Sequence, residues 1–123
     1  MADALASQQP LRAWWDLASD SRGAALFVEL MAAANHRPAL KAEVGAVARE
    51  IRYLQIDALK TLLAEYGLDS REFPPALIAA TLQGLAFGLV ADEAAGYDTA
   101  QPQVRRAISR LINRLERQRA VSP

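Results

Sequence analysis

The stretch from Pro74 to Glu93, PPALIAATLQGLAFGLVADE, limits what this chain can fold into more than any other. Between Ala76 and Ala91 there is no charge, and twelve of those sixteen positions are apolar. The other four are Thr81, Gln83, Gly84 and Gly88. Pro74-Pro75 suits the first turn of a helix, and Gly96 suits its end. A helix that is apolar on every side has to be covered on every side. A membrane span needs about 20 strongly apolar residues, and this segment is short and rich in alanine. It is expected to be a buried helix, one side facing the chain's own core and the other a second copy.

The rest of the composition fits that expectation. The length of 123 residues suits one domain with a core of its own. Alanine and leucine dominate the 52% apolar content and β-branched runs are sparse, which favours helices over strands. Fourteen basic residues balance fourteen acidic ones, so there is no long-range pull toward nucleic acid or anionic lipid. The absence of cysteine excludes disulfides, zinc–thiolate sites and cysteine nucleophiles, and a single histidine excludes a multi-histidine metal site. Residues 1–10 lack the basic start and apolar centre of a signal peptide, so a cytoplasmic protein is expected.

In chain order, residues 1–10 read as a frayed lead-in, residues 11–119 as one helical domain and residues 120–123 as a frayed end. Pro10 opens a helix over Leu11 to Ala18, with Leu11, Trp14, Trp15 and Ala18 at helical spacing. The adjacent tryptophans point about 100° apart, so they can hardly share one pocket. Asp20 or Ser21 can cap a second helix, Arg22 to Asn35, whose run GAALFVELMAAAN has a single charge at Glu29 and predicts extensive burial. The third and longest helix, Ala39 to Tyr66, carries a stripe of Leu40, Val44, Val47, Ile51, Leu54, Ala58 and Leu62, and Gly67 ends it. The central helix follows, then a last one over Gln101 to Gln118. Its apolar side is Val104, Ala107, Ile108, Leu111, Ile112 and Leu115, opposite Arg106, Arg110, Arg114 and Arg117. Five helices and no sheet are expected.

Convergent polar groups are scarce. His36, at a helix junction, reads better as a capping or surface residue than as a general base. Asp92 and Glu93 are adjacent, so they diverge on a helix rather than forming an acid–base pair. No catalytic residue, cofactor site or metal site is assigned. Residues 101–119 hold six arginines against one glutamate, but no aromatic follows Tyr97 to stack on bases. A solvated arginine face is the simpler account. Gly84 and Gly88, four apart, make a shallow groove that another helix can approach closely, either within the chain or from a second copy. Trp14, Phe27, Met31, Ile51, Leu54 and Phe87 are large apolar residues spread over four helices, with Gln55, Gln83 and Tyr53 among them. Apolar walls with a few polar anchors describe a ligand pocket, although the same residues would also fill an ordinary core.

These features, in this order, resemble the C-terminal ligand-binding and dimerisation domain of TetR-family (tetracycline-repressor-like) transcription regulators. The matching segments are LFVELMAAANHRPALKAEV, the long helix ending in LLAEYGL, the proline-initiated helix ending in GLAFGLVADEAAG, and VRRAISRLINRLE. The resemblance implies an all-α bundle whose last two helices pair with their copies. It places Gly84, Leu85, Gly88, Leu89, Val104, Ile108, Leu111 and Leu115 at that homodimer interface. It implies a pocket for a small apolar effector, drawn from Trp14, Phe27, Met31, Ile51, Leu54, Gln55, Gln83 and Phe87. The family's DNA-reading domain has no counterpart here. Only nine residues precede Pro10, and residues 11–35 lack the polar side chains of a recognition helix. No direct nucleic-acid contact and no membrane contact are expected. The rival readings are a standalone dimerisation module without ligand or DNA binding, and a small helical enzyme or carrier for an apolar molecule.

Overall fold

The computed structural model describes residues 2–121, and among them there are helices and no strand. There are six helices, not five: α1 (Ala2–Leu5), α2 (Pro10–Ala18), α3 (Ser21–Ala34), α4 (Pro38–Glu65), α5 (Pro75–Ala94) and α6 (Gln101–Val121). The additional one, α1, is a single turn inside the lead-in that was expected to fray, and it packs on α2. At the other end, α6 continues through Ala120 and Val121, and residues 122–123 lie outside the described residues.

The helix ends follow local chemistry. Pro10, Pro38 and Pro75 each sit in a first turn, where the missing N–H costs nothing. The Asp20 carboxylate accepts from the Gly23 N–H at 3.1 Å and caps α3. Past α4, Gly67 has φ +70°, the Leu68 N–H reaches back to the Leu63 carbonyl at 3.2 Å, and a Cβ at 67 would sit 3.0 Å from Gln118 Nε2. The backbone conformation favours glycine there, and a Cβ would also push the flexible Gln118 amide aside. Ahead of α6, Ala100 adopts φ +65°, a region alanine enters at a cost. Ala100 is exposed, so Ala100→Gly should raise the unfolding free energy by about 0.5–1 kcal/mol in urea denaturation.

The core gathers Leu59 and Leu63 of α4, Tyr66 at its C-cap, Trp14 and Trp15 of α2, Ala79, Ala86 and Leu89 of α5, and Ile112 of α6. α5 packs on α2, α3 and α4, while α6 packs on α2. Much of the attachment of α6 is polar. The Arg12 guanidinium donates to Ser109 and Asn113, Gln101 Nε2 to the Leu89 carbonyl at 2.6 Å, and Arg119 meets Glu65 at 2.7 Å.

Burial departs from expectation on three helices. On α4 the inward positions are Val44, Gln55, Leu59, Leu62 and Leu63. Val47 and Leu54 of the expected stripe face outward, Leu54 being 65% exposed, while Ile51, at 40% exposure, borders a cavity. The inward face turns through a glutamine, so the apolar pattern alone pointed to a neighbouring face. On α3 only Ala24 and Ala34 are buried, and Leu26, Leu30 and Met31 are exposed. α5 buries Ala79, Ala86, Leu89 and Val90 within the chain and leaves Leu77, Gly84, Leu85 and Gly88 open. Its cover within the chain is one-sided.

Candidate ligand cavity and association face

α2, α3, α4 and α5 enclose a cavity of about 300 Å³. Six of the eight residues singled out for a pocket border it: Trp14, Phe27, Ile51, Gln55, Gln83 and Phe87. Leu17, half exposed, and Gly23 also border it, so the mouth lies beside the α2–α3 junction. Met31 and Leu54 do not border it. They are 43% and 65% exposed, and Tyr53 is outward as well. Helical phase explains the difference: Gln55 and Ile51 reach the cavity, while Leu54, next to Gln55, points about 100° away. The tryptophans diverge as adjacent helical residues must, so Trp14 borders the cavity and Trp15 belongs only to the core.

The cavity has flat apolar walls and a few placed polar groups. The rings of Phe27 and Phe87 stack with centroids 5.2 Å apart and 18° between planes. Arg52 Nη2 donates to the Gln83 carbonyl at 2.9 Å, which orients that amide. Gln55 is 4% exposed, and its carbonyl oxygen is buried without a hydrogen-bond partner in the chain. Leaving such a group unsatisfied costs about 1–3 kcal/mol, a cost that a ligand donor can remove. Sequence reading picked Gln55 out by type and helical position. Its burial became evident only with the fold.

On the other side of α5 a second, wholly apolar groove of about 160 Å³ runs between α5 and α6. Leu85, Ile108, Leu111 and Leu115, all singled out for the subunit interface, border it. Leu111 is 55% and Leu85 40% exposed, so the groove opens to the surface. Gly84 and Gly88 are exposed, and a Cβ at either would meet nothing within 4 Å. Each glycine costs a helix about 0.5–1 kcal/mol relative to alanine, and nothing inside this chain requires either. Two interface candidates sit elsewhere. Leu89 is in the chain's own core at 7% exposure, and Val104 is half-buried against that core.

One buried residue was missed. Glu116, the lone acidic residue among the arginines of α6, is 6% exposed. Its Oε1 accepts from the Leu11 N–H at 2.9 Å, the Arg12 N–H at 3.1 Å and the Tyr66 hydroxyl at 2.9 Å. It therefore caps α2 from 104 residues away in sequence. The local signal was negative: Gln9 stands at the N-cap of α2 with no side-chain bond. Burial pushes the Tyr66 hydroxyl well above the ordinary tyrosine range, and the neighbouring Glu116 adds to that. His36 and Glu93 are exposed, and Asp92 is half-buried.

By length and composition α5 is the one described helix apolar enough to cross a membrane. Comparison with protein-family models, with curated proteins and with solved structures gave no match.

Proposed function

We propose that this chain is a cytoplasmic effector-binding and homodimerisation domain of the kind found in TetR-type regulators, taking a small apolar ligand between its helices. The observation that carries the reading is the double placement of α5. Gln83 and Phe87 border the cavity, while Leu85 borders the apolar groove and Gly84 and Gly88 lie open. One rigid helix thus touches both a ligand and a second subunit. A ligand that prefers one setting of α5 shifts the dimer toward the geometry with that setting, and dimerisation shifts ligand affinity by the same factor. The chain itself makes no specific contact with duplex DNA, and its output passes through the spacing of whatever its two copies carry.

A second reading, a standalone association module, draws on the exposed apolar residues Leu26, Leu30, Val47 and Leu54 of α3 and α4. Such outward residues suit a chain that docks through more than one face.

Native mass spectrometry of the purified chain tests the first reading. The expected result is a dimer, twice the 13.4 kDa chain mass, carrying small-molecule adducts. Ala18 borders the cavity and is half-buried, so Ala18→Phe should fill the space and remove the adducts while leaving the dimer. A monomer, or adducts that survive Ala18→Phe, contradicts it.

A further inference from the structure

We infer that the cavity selects a compact, flat aromatic molecule bearing one N–H or O–H donor, and that the Gln55 carbonyl is the group that reads the donor. The inference rests on the effector-binding reading and adds the chemical class of the effector. Three observations combine. The space of about 300 Å³ is at the small end for ligand sites, which suits one or two fused rings rather than a long chain or a large macrocycle. Its walls include the indole of Trp14 and the stacked rings of Phe27 and Phe87, and aromatic faces at this spacing favour a planar guest that extends the stack.

The third observation decides the polar chemistry. Gln55 is 96% shielded from solvent (4% exposed), borders the cavity and keeps a carbonyl with no donor in the chain. The last side-chain torsion is soft, so a small rotation turns the unpartnered carbonyl toward a guest. A guest with a donor satisfies the carbonyl. A guest of the same shape without one leaves it unsatisfied, and sites built around a buried polar group reject such analogues. Gln83 makes no such demand, since it is half-buried and its carbonyl already accepts from Arg52. No side chain with an acidic or basic group borders the cavity, so a neutral guest is preferred to an ionised one.

Indole and benzofuran separate the idea from its alternatives. They share size and flatness, and only indole carries an N–H. Isothermal titration calorimetry of the full chain should show indole binding about tenfold more tightly than benzofuran. In Gln55→Leu the preference should vanish, with benzofuran binding as well as before or better. Equal affinities in the unmodified chain, or a preference for indole that survives Gln55→Leu, overturn the role of Gln55. If both probes bind equally and both are excluded by Ala18→Phe, the donor rule fails and the effector-binding reading stands. If neither probe binds, both the inference and the cavity reading fail for compact aromatic guests. Circular dichroism and thermal unfolding of Gln55→Leu confirm that the variant is folded before its affinities are compared.

Discussion

Glu116→Ala should lower the unfolding free energy by about 2–4 kcal/mol, the largest effect expected from any polar residue of α6. The substitution strands the Arg12 N–H in the first turn of α2, leaves the Leu11 N–H only its longer 3.3 Å bond to the Tyr66 hydroxyl oxygen, and takes away the acceptor of that hydroxyl. Those groups belong to three separate helices or their ends, so the loss loosens α2, α4 and α6 together. By contrast, Arg110→Ala and Arg114→Ala, at exposed positions on the same helix, should change stability by less than about 0.5 kcal/mol. Denaturant titration checks the contrast. Tyr66 gives a second readout. Its pKa is raised in the folded chain, so its contribution is complete below the ordinary tyrosine value of about 10. Above that pH the unfolded chain ionises at this residue first, and stability falls as pH climbs. Tyr66→Phe should remove that alkaline loss, since Tyr53 and Tyr97 are exposed.

Leu111→Asp should abolish self-association and leave a folded monomer. Leu111 is more than half exposed in the single chain, so an aspartate there is readily hydrated and costs the monomer little. In a dimer formed across the α5–α6 groove the same aspartate sits opposite apolar groups of the partner without a counter-charge. Burial of an unpaired carboxylate costs several kcal/mol, and the two-fold relation imposes the cost twice. That moves a micromolar dimer beyond any practical concentration. Sedimentation velocity over a concentration series checks it. Leu54→Glu, at an equally open position on α4, should leave the dimer intact.

What was legible in the sequence and what was not divides by distance along the chain. Pro10, Asp20, Pro38, Gly67 and Gly96 act on their own backbone or on residues a few positions away, so the helix ends they set were readable to within one or two residues. Glu116 was not readable, because its partners lie 50 to 105 residues away and its sequence neighbours are exposed arginines. α4 shows the same limit in its phase. Val47 and Leu54 keep helical spacing with Ile51, yet the helix turns Ile51 and Gln55 toward the cavity and leaves Val47 and Leu54 exposed. α5 itself presents the reverse case. Its uniform apolar character marked it as a helix needing two covers, and the chain supplies only one, on the side of Ala79, Ala86 and Val90.

The opposite side of α5 is therefore the central question, and the absence of cysteine allows a clean test. Gly84→Cys, Gly88→Cys and Leu54→Cys each introduce one thiol at an exposed position, treated in turn with a short bis-maleimide. A second copy seated on α5 predicts covalent dimers from the two glycine positions and none from Leu54. Cross-linking at Leu54 with none at Gly84 or Gly88 would contradict it, and would move the association face to α3 and α4.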